Sequence, residues 1–169
     1  MKKLFFAAAI VCLFAFAAFA QKPADFSGKW NLDLSKSELG QQAAMIKSQT
    51  VTITQSGTSF KVSTQTERNA DAAGGGGGRG GFGGGGGDQS YTLDGKEVST
   101  DRQTQNGTVT IKTTASQTGN KVVITSVFPG PNGDVKSTST YELSADGKTL
   151  TVTRESMRGT NKSVYSKAS

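Results

Sequence analysis

The amino-acid sequence predicts an all-β protein, an up-and-down antiparallel meander β-barrel of about eight to ten strands, with one short helix between the first and second strands. Three observations support this prediction. Apolar and polar residues alternate in many short segments, hairpin-length turns separate these segments, and helical spacing is limited to one stretch. A meander with one apolar face must close on itself or fold into two packed sheets, because an open sheet would leave that face in water.

The first predicted strand runs from Phe26 to Leu34 and shows the most regular alternation in the chain. Every second residue is apolar or glycine, and the residues between them are polar, which is typical of a half-buried strand. The alternation places Trp30 on the buried face. Gly28 lies on the same face without a side chain, so another backbone can approach closely there.

Residues 37–47 break the alternation and are rich in helix formers. Leu39, Ala43 and Ile46 fall at helical spacing, which predicts the one short helix of the chain. Ser37 is the expected N-cap of this helix.

Strand periodicity then returns and continues to the end of the chain. The predicted strands are 50–55, 59–66, 91–93, 96–100, 108–115, 121–128, 135–143, 148–155 and 163–167. Ser56-Gly57 and Asp146-Gly147 predict tight hairpins between neighbouring strands. Asp94-Gly95 predicts another, a type I′ turn that joins 91–93 to 96–100.

Met1–Ala20 has the features of a secretory signal: two early lysines, an apolar run, and the small-residue sequence Ala18-Phe19-Ala20 before the expected cleavage. Removal of this segment leaves residues 21–169 as a single domain. The predicted location is the periplasm or the cell exterior, with no stable membrane insertion after cleavage. Cys12 is the one cysteine and leaves with the signal, so no disulfide is expected.

The charge and composition exclude several classes of function. The formal net charge is +6, and the loss of Lys2 and Lys3 with the signal lowers it by two. The remaining basic residues are scattered, which argues against a nucleic-acid partner. The chain has no histidine, which excludes His-based triads and His metal sites. The carboxylates fall mostly at turns, so the sequence predicts no catalytic residues, no metal site and no cofactor.

The segment from Gly74 to Gly87 contains twelve of the 22 glycines and is interrupted only by Arg79 and Phe82. Such a composition cannot form a packed element. We expect a flexible loop over residues 72–88, long enough to reach across a barrel mouth or to contact a partner.

Arg154 stands out among the charged residues. It shares its position in the alternation with Leu150 and Val152, so a regular strand directs it towards the barrel interior. A buried arginine needs a partner. One interpretation is a cation that meets a ligand carboxylate, a second is a contact with Trp30, and a third is a strand end from which the side chain reaches solvent.

The opening Phe26-x-Gly28-x-Trp30, the turn Asp94-Gly-Lys-Glu97 and the ending Ser163-Val-Tyr165-Ser-Lys167 resemble the calycins, the group of lipocalin and fatty-acid-binding-protein barrels. The resemblance implies a lipocalin-like secreted barrel with an internal ligand pocket.

In the fatty-acid-binding proteins an Arg-x-Tyr pair on the last strand holds the fatty-acid carboxylate. Tyr165 matches that tyrosine, but Ser163 stands in place of the arginine. In lipocalins the first-strand tryptophan packs under a late basic residue, and the resemblance offers Arg154, Arg158 or Lys162 for that role.

The leading functional hypothesis is a binding protein that holds a small apolar or amphipathic, lipid-like molecule in its barrel. The candidate pocket residues are Trp30, Tyr141, Arg154 and Tyr165. The alternative is a non-enzymatic structural or interaction protein of the cell envelope, with a filled barrel and the glycine-rich loop as its contact element. An internal void of several hundred Å³ favours the first hypothesis, and a filled core favours the second. The sequence identifies no protein partner.

Overall fold

The computed structural model describes residues 23–69, 87–104, 107–130 and 133–168. The predicted signal segment Met1–Ala20 lies outside the described residues, and so does most of the glycine-rich segment 72–88. Its last residue, Asp88, belongs to a strand rather than to the loop. Within the described ranges, no helix has the length and apolar character needed to cross a membrane.

Ten antiparallel strands make up the described fold, and they confirm the predicted all-β meander barrel. In chain order they are β1 Gly28–Leu32, β2 Ile46–Ser56, β3 Ser59–Arg68, β4 Asp88–Thr92, β5 Asp94–Thr104, β6 Gly107–Thr118, β7 Lys121–Gly130, β8 Gly133–Leu143, β9 Thr149–Ser156 and β10 Gly159–Lys167. The hydrogen-bonded order in the sheet is β4-β3-β2-β1-β10-β9-β8-β7-β6-β5. The pairing of the first strand with the last joins β1–β4 to β5–β10 in one nearly closed barrel.

The sheet order ends at β4 on one side and at β5 on the other, and we call the boundary between these two strands the seam. The hairpin predicted at Asp94-Gly95 was wrong, because β4 pairs with β3 while β5, which includes both residues, pairs with β6. The local turn chemistry is nevertheless present. The Lys96 amide donates to Asp94 Oδ1 at 3.0 Å, and Gly95 has φ +73°. The dipeptide bends the chain between two strands that belong to opposite ends of the sheet order.

The predicted helix over residues 37–47 is shorter and tighter than expected. Two 3₁₀ helices follow β1, at Leu34–Lys36 and Gly40–Met45. Backbone bonds between Glu38 and Lys162 keep the intervening chain extended, so the second helix can begin only after them. Ser37 does not cap this helix.

Instead, the Ser37 hydroxyl links the segment after β1 to β10. It donates to the Asp33 carbonyl at 2.6 Å and accepts from the Val164 amide at 2.9 Å.

The packed core fills one end of the barrel, which we call the closed end; it carries the β2–β3, β6–β7 and β8–β9 turns. Its largest fully buried side chains are Trp30, Phe26, Phe60, Ile53, Leu150 and Val122. Phe60 packs edge-to-face on Phe26 and on Tyr141, with ring centroids 5.9 Å and 5.5 Å apart. Such contacts add stability beyond the area that they bury.

The chain before β1 covers the closed end. The Phe26 amide donates to Gln55 Oε1, and Gln55 Nε2 donates in turn to Gln117 Oε1 at 2.7 Å. Gln117 Nε2 completes the series by donating to the Ala24 carbonyl at 2.7 Å. These bonds tie the covering segment to β2 and β6.

Candidate ligand-binding site

A cavity of about 360 Å³ lies within the half of the barrel formed by β4 to β9. Its size falls within the range typical of small-molecule sites. The lining combines apolar side chains, hydroxyl groups and charged groups. Because the core fills the closed end, the cavity occupies the part of the interior that the core leaves open.

The charged lining residues are all basic. They are Lys96 and Arg102 on β5 and Arg154 on β9, and no acidic residue is among the described residues of the lining. Lys96 and Arg102 are exposed and Arg154 is half-buried, so these cations keep contact with the cavity or with solvent. Lys96 also pairs at the surface with Asp94 Oδ2 at 3.9 Å, and the basic lining favours an anionic group.

Arg154 lies on the inward face of β9, as its shared alternation with Leu150 and Val152 predicts. In the ladders it stands opposite Ser139 on β8 and Asn161 on β10. Its positive charge acts on two neighbouring phenols, since it lowers the pKa of both Tyr91 and Tyr165 against the larger effect of burial.

Tyr91 on β4 is a lining residue that the sequence reasoning missed. Burial raises the pKa of its phenol to about 12, with a further rise from nearby Tyr141. The hydroxyl donates to Gln89 Oε1 at 2.7 Å. The sequence did contain a signal, since Tyr91 is an aromatic residue in a short predicted strand beside an Asp-Gly turn. It was interpreted as part of a hairpin and not as a pocket residue.

The four sequence-predicted site residues divide into two groups. Tyr141 and Arg154 both line the cavity. Trp30 and Tyr165 lie outside the lining, in the packed core. The Trp30 indole is fully buried and donates to the Phe26 carbonyl at 3.0 Å. A ligand contact by any of the four stays a prediction.

Tyr165 takes part in a short hydrogen-bond series across the interior. Its hydroxyl donates to Gln49 Oε1 at 2.7 Å, and Gln49 Nε2 donates to Thr66 Oγ1 at 2.8 Å. Burial raises the pKa of the Tyr165 phenol. The series links β10, β2 and β3 and holds Tyr165 on the packed side of the interior.

The basic residue beside Trp30 is Lys167, not Arg154, Arg158 or Lys162 as the resemblance implied. Lys167 Nζ lies 5.3 Å from the centroid of the indole. Lys167 lies two residues after Tyr165, so the alternation of the last strand places both side chains on the same face. The sequence therefore contained a signal for an inward-facing Lys167.

A row of hydroxyl groups crosses the inner wall of the cavity. Thr113 on β6 stands opposite Ser126 on β7, and Ser126 stands opposite Ser137 on β8. The Thr113 and Ser126 hydroxyls are 3.2 Å apart and hydrogen-bonded. We call these three residues the hydroxyl row.

The cavity opens at the seam. Four consecutive residues of β4, 89–92, line it. Since neighbouring residues of a strand point to opposite faces, the cavity must extend around the edge of β4. On the other side of the seam every residue of β5 is exposed, and the inward-facing Val98 is 51% exposed.

Arg102 belongs to the same face of β5 as Lys96, Val98 and Thr100, since alternate residues of this strand line the cavity. The predicted strand ended at Thr100, so its alternation was not followed as far as Arg102. The described residues contain no cluster of acidic, histidine or cysteine side chains that could hold a metal ion.

The fold is a ten-stranded, nearly closed antiparallel barrel with an internal cavity. No protein-family model and no curated protein sequence matches the chain.

Solved structures of the same fold do match it. One is the REP1-NXSQ fatty acid transporter, at 20% identity and TM-score 0.52, covering 86% of this chain and 97% of that one. A second is human cRBP IV, at 17% identity and TM-score 0.53, covering 86% and 100%. A third is secretory abundant heat soluble protein 4 from Ramazzottius varieornatus, at 17% identity and TM-score 0.53, covering 88% and 99%. At these identities the likeness concerns the fold.

Proposed function

We propose that this protein binds a small amphipathic molecule with an apolar body and an anionic end inside its barrel. One observation carries the proposal: a cavity of about 360 Å³ whose charged lining residues are Lys96, Arg102 and Arg154, without an acidic residue among the described lining. Apolar side chains such as Ile124 and Phe128 supply surface for the body of the ligand. Arginine is well suited to hold a carboxylate or a phosphate.

The cavity favours this function over the alternative of a filled structural barrel. A barrel that served only as a scaffold would gain stability from a packed interior, because voids cost contact energy. Among the solved structures of this fold, one is named as a fatty acid transporter and another as a fatty acid binding protein in complex with arachidonic acid. These names agree with a lipid-like ligand here.

The proposed role is binding without catalysis, at a location outside the cytoplasm. The basic, apolar and small-residue regions of Met1–Ala20 support export with cleavage after Ala20. The absence of histidine from the whole sequence removes the commonest general base and supports a binding role.

Native mass spectrometry of the purified mature protein tests the proposal. We expect a copurifying mass of lipid size that is released on denaturation. The delipidated protein should then bind oleate in a fluorescence displacement assay.

A pair of adjacent substitutions on β8 provides the control. Ser139→Phe fills the cavity that Ser139 lines and should abolish binding, whereas Thr140→Phe places the same ring on the outward face and should not. A delipidated, folded protein that binds neither oleate nor any copurifying lipid would overturn the proposal.

A further inference from the structure

The hydroxyl row gives the cavity wall a pattern that a simple hydrocarbon chain does not match. Thr113, Ser126 and Ser137 lie side by side on three neighbouring strands and all line the cavity. Ala115 and Ile124, paired with each other, lie two residues away along β6 and β7. Ile111 and Phe128 lie two residues away in the other direction. Along β6 and β7 the wall is therefore apolar, then polar, then apolar, while β8 and β9 place Ser139 and Arg154 at the level of Ala115 and Ile124.

The row also lies at a defined level relative to Arg154. Ser139 is the ladder partner of Arg154, and Ser137 follows two residues further along the same inward face of β8. A step of two residues in a strand is about 7 Å. A ligand whose anionic end meets Arg154 and whose body runs along β8 would pass the hydroxyl row before it reaches Phe128.

Covering these hydroxyls with hydrocarbon is unfavourable. Each hydroxyl has one donor and two acceptor positions, and among the described residues the bond between Thr113 and Ser126 is the one side-chain bond of the row, which leaves most of this capacity to water or to a ligand. Removing the water without a replacement costs free energy, whereas a ligand hydroxyl restores the lost hydrogen bonds.

We propose that the ligand carries a hydroxyl group part-way along its apolar body, about 7 Å from its anionic end, as a fatty acid hydroxylated near carbon 6 does. This inference rests on the proposed function, because it assigns the class of molecule that the same cavity binds. The anionic end is held by the basic lining residues, and the hydroxyl row selects for the polar group in the chain.

Calorimetric titration with stearate and 6-hydroxystearate tests this inference, because the second is the first with one added hydroxyl about 7 Å from the carboxylate, the length of a two-residue step in a strand. We expect the delipidated protein to bind 6-hydroxystearate about three- to tenfold more tightly, which corresponds to the net worth of one or two hydrogen bonds. The cavity variant Thr113→Val, Ser126→Ala, Ser137→Ala should lose this preference.

A register-matched control lies one residue away on each strand. Thr114, Thr125 and Thr138 are paired with one another in the same ladders and lie on the opposite face of the sheet. Replacing all three by Val should leave the ratio of the two affinities unchanged. If the triple cavity variant fails to fold, Ser137→Ala alone is expected to reduce the ratio.

The outcomes separate the inference from the proposed function. Binding of stearate and 6-hydroxystearate with equal affinity would overturn the hydroxylated ligand and leave the proposed function standing. A preference for 6-hydroxystearate that persists in the cavity variant would also overturn the role of the row. Binding of neither fatty acid would count against the proposed function, and the inference would fall with it.

Discussion

The ammonium group of Lys167 lies over the indole ring of Trp30, with Nζ 5.3 Å from the ring centroid. The two residues are register partners in the ladder that joins the first strand to the last. A cation above an aromatic face is attracted by the ring quadrupole, by about 0.5–1 kcal/mol where the cation is exposed. This contact reinforces the ladder that joins the first four strands to the last six.

Replacement of Trp30 by alanine should lower the free energy of unfolding by about 3–5 kcal/mol, because a large buried ring is lost and a cavity remains. Trp30 is 0% exposed, and its indole nitrogen also bonds to the Phe26 carbonyl. Urea unfolding measures the change. Met157→Ala is the control, since Met157 is 77% exposed and should have almost no effect. A loss below about 1 kcal/mol for Trp30→Ala would contradict the core role.

Gly28→Ala should destabilise the protein by about 1–3 kcal/mol, because Gly28 has φ +139°, which side chains rarely adopt. A Cβ at this position would also lie 3.2 Å from Lys167 Cε. The double substitution Gly28→Ala, Lys167→Ala removes the crowding and leaves the backbone strain. In urea unfolding, Gly28→Ala should therefore cost less in the Lys167→Ala background than in the wild type. Equal costs in both backgrounds would show that crowding plays no part.

Arg154→Met should leave the fold intact and weaken oleate binding by about 1.5–3 kcal/mol, the contribution of a charge-assisted hydrogen bond. Methionine keeps much of the side-chain bulk and removes the charge. The control is Arg158→Met in the exposed turn between β9 and β10. Circular dichroism checks folding, and displacement of a fluorescent fatty acid measures affinity. Unchanged affinity in Arg154→Met would exclude this residue from ligand recognition.

Alkaline pH should weaken the folded state through Tyr91. The pKa of the Tyr91 phenol is 10.0 for an unperturbed tyrosine and about 12 in the folded protein. Above pH 10 the unfolded chain therefore releases a proton that the folded protein retains. The free energy of unfolding should therefore fall as the pH rises from about 10 to 12.

Tyr91→Phe should reduce this fall, and absorbance titration of the phenols should show late ionisation of Tyr91 in the folded protein. A pH dependence that is identical in Tyr91→Phe would assign the effect to other groups, among which Tyr165 also has a raised pKa.

Much of the fold was readable from local patterns in the sequence. Period-two alternation identified the strands and the inward direction of Arg154, because side-chain direction in a strand depends only on parity. The Ser56-Gly57 hairpin formed as predicted, with Gly57 at φ +56°. Asp94-Gly95 misled because a turn signal describes the local bend and not which strands pair afterwards. The pairing of β4 with β3 is a tertiary choice that no local pattern encodes.

The candidate site was less accessible to sequence reasoning. The hydroxyl row depends on the register of three strands, and register cannot be read from one strand alone. The inward positions of Lys167 and Arg102 were missed for a simpler reason. The alternation of inward and outward side chains was not followed to the ends of their strands. Trp30 was expected at the pocket because it faces inward, and Tyr165 because it matches the tyrosine of the fatty-acid-binding proteins. The interior is instead divided between a packed side, which holds both residues, and an open side.

The neighbouring positions of β1 and β10 make the barrel a natural candidate for circular permutation. The Ala168 amide donates to the Lys29 carbonyl at 2.8 Å, so the end of β10 lies beside β1 and a linker can join it to the segment before that strand. New termini at Leu93 would fall in the seam, where no ladder is cut. Among the described strands, every pairing except β1 with β10 already joins consecutive strands. In the permuted chain that pairing also becomes local, so the contact order falls and folding should be faster.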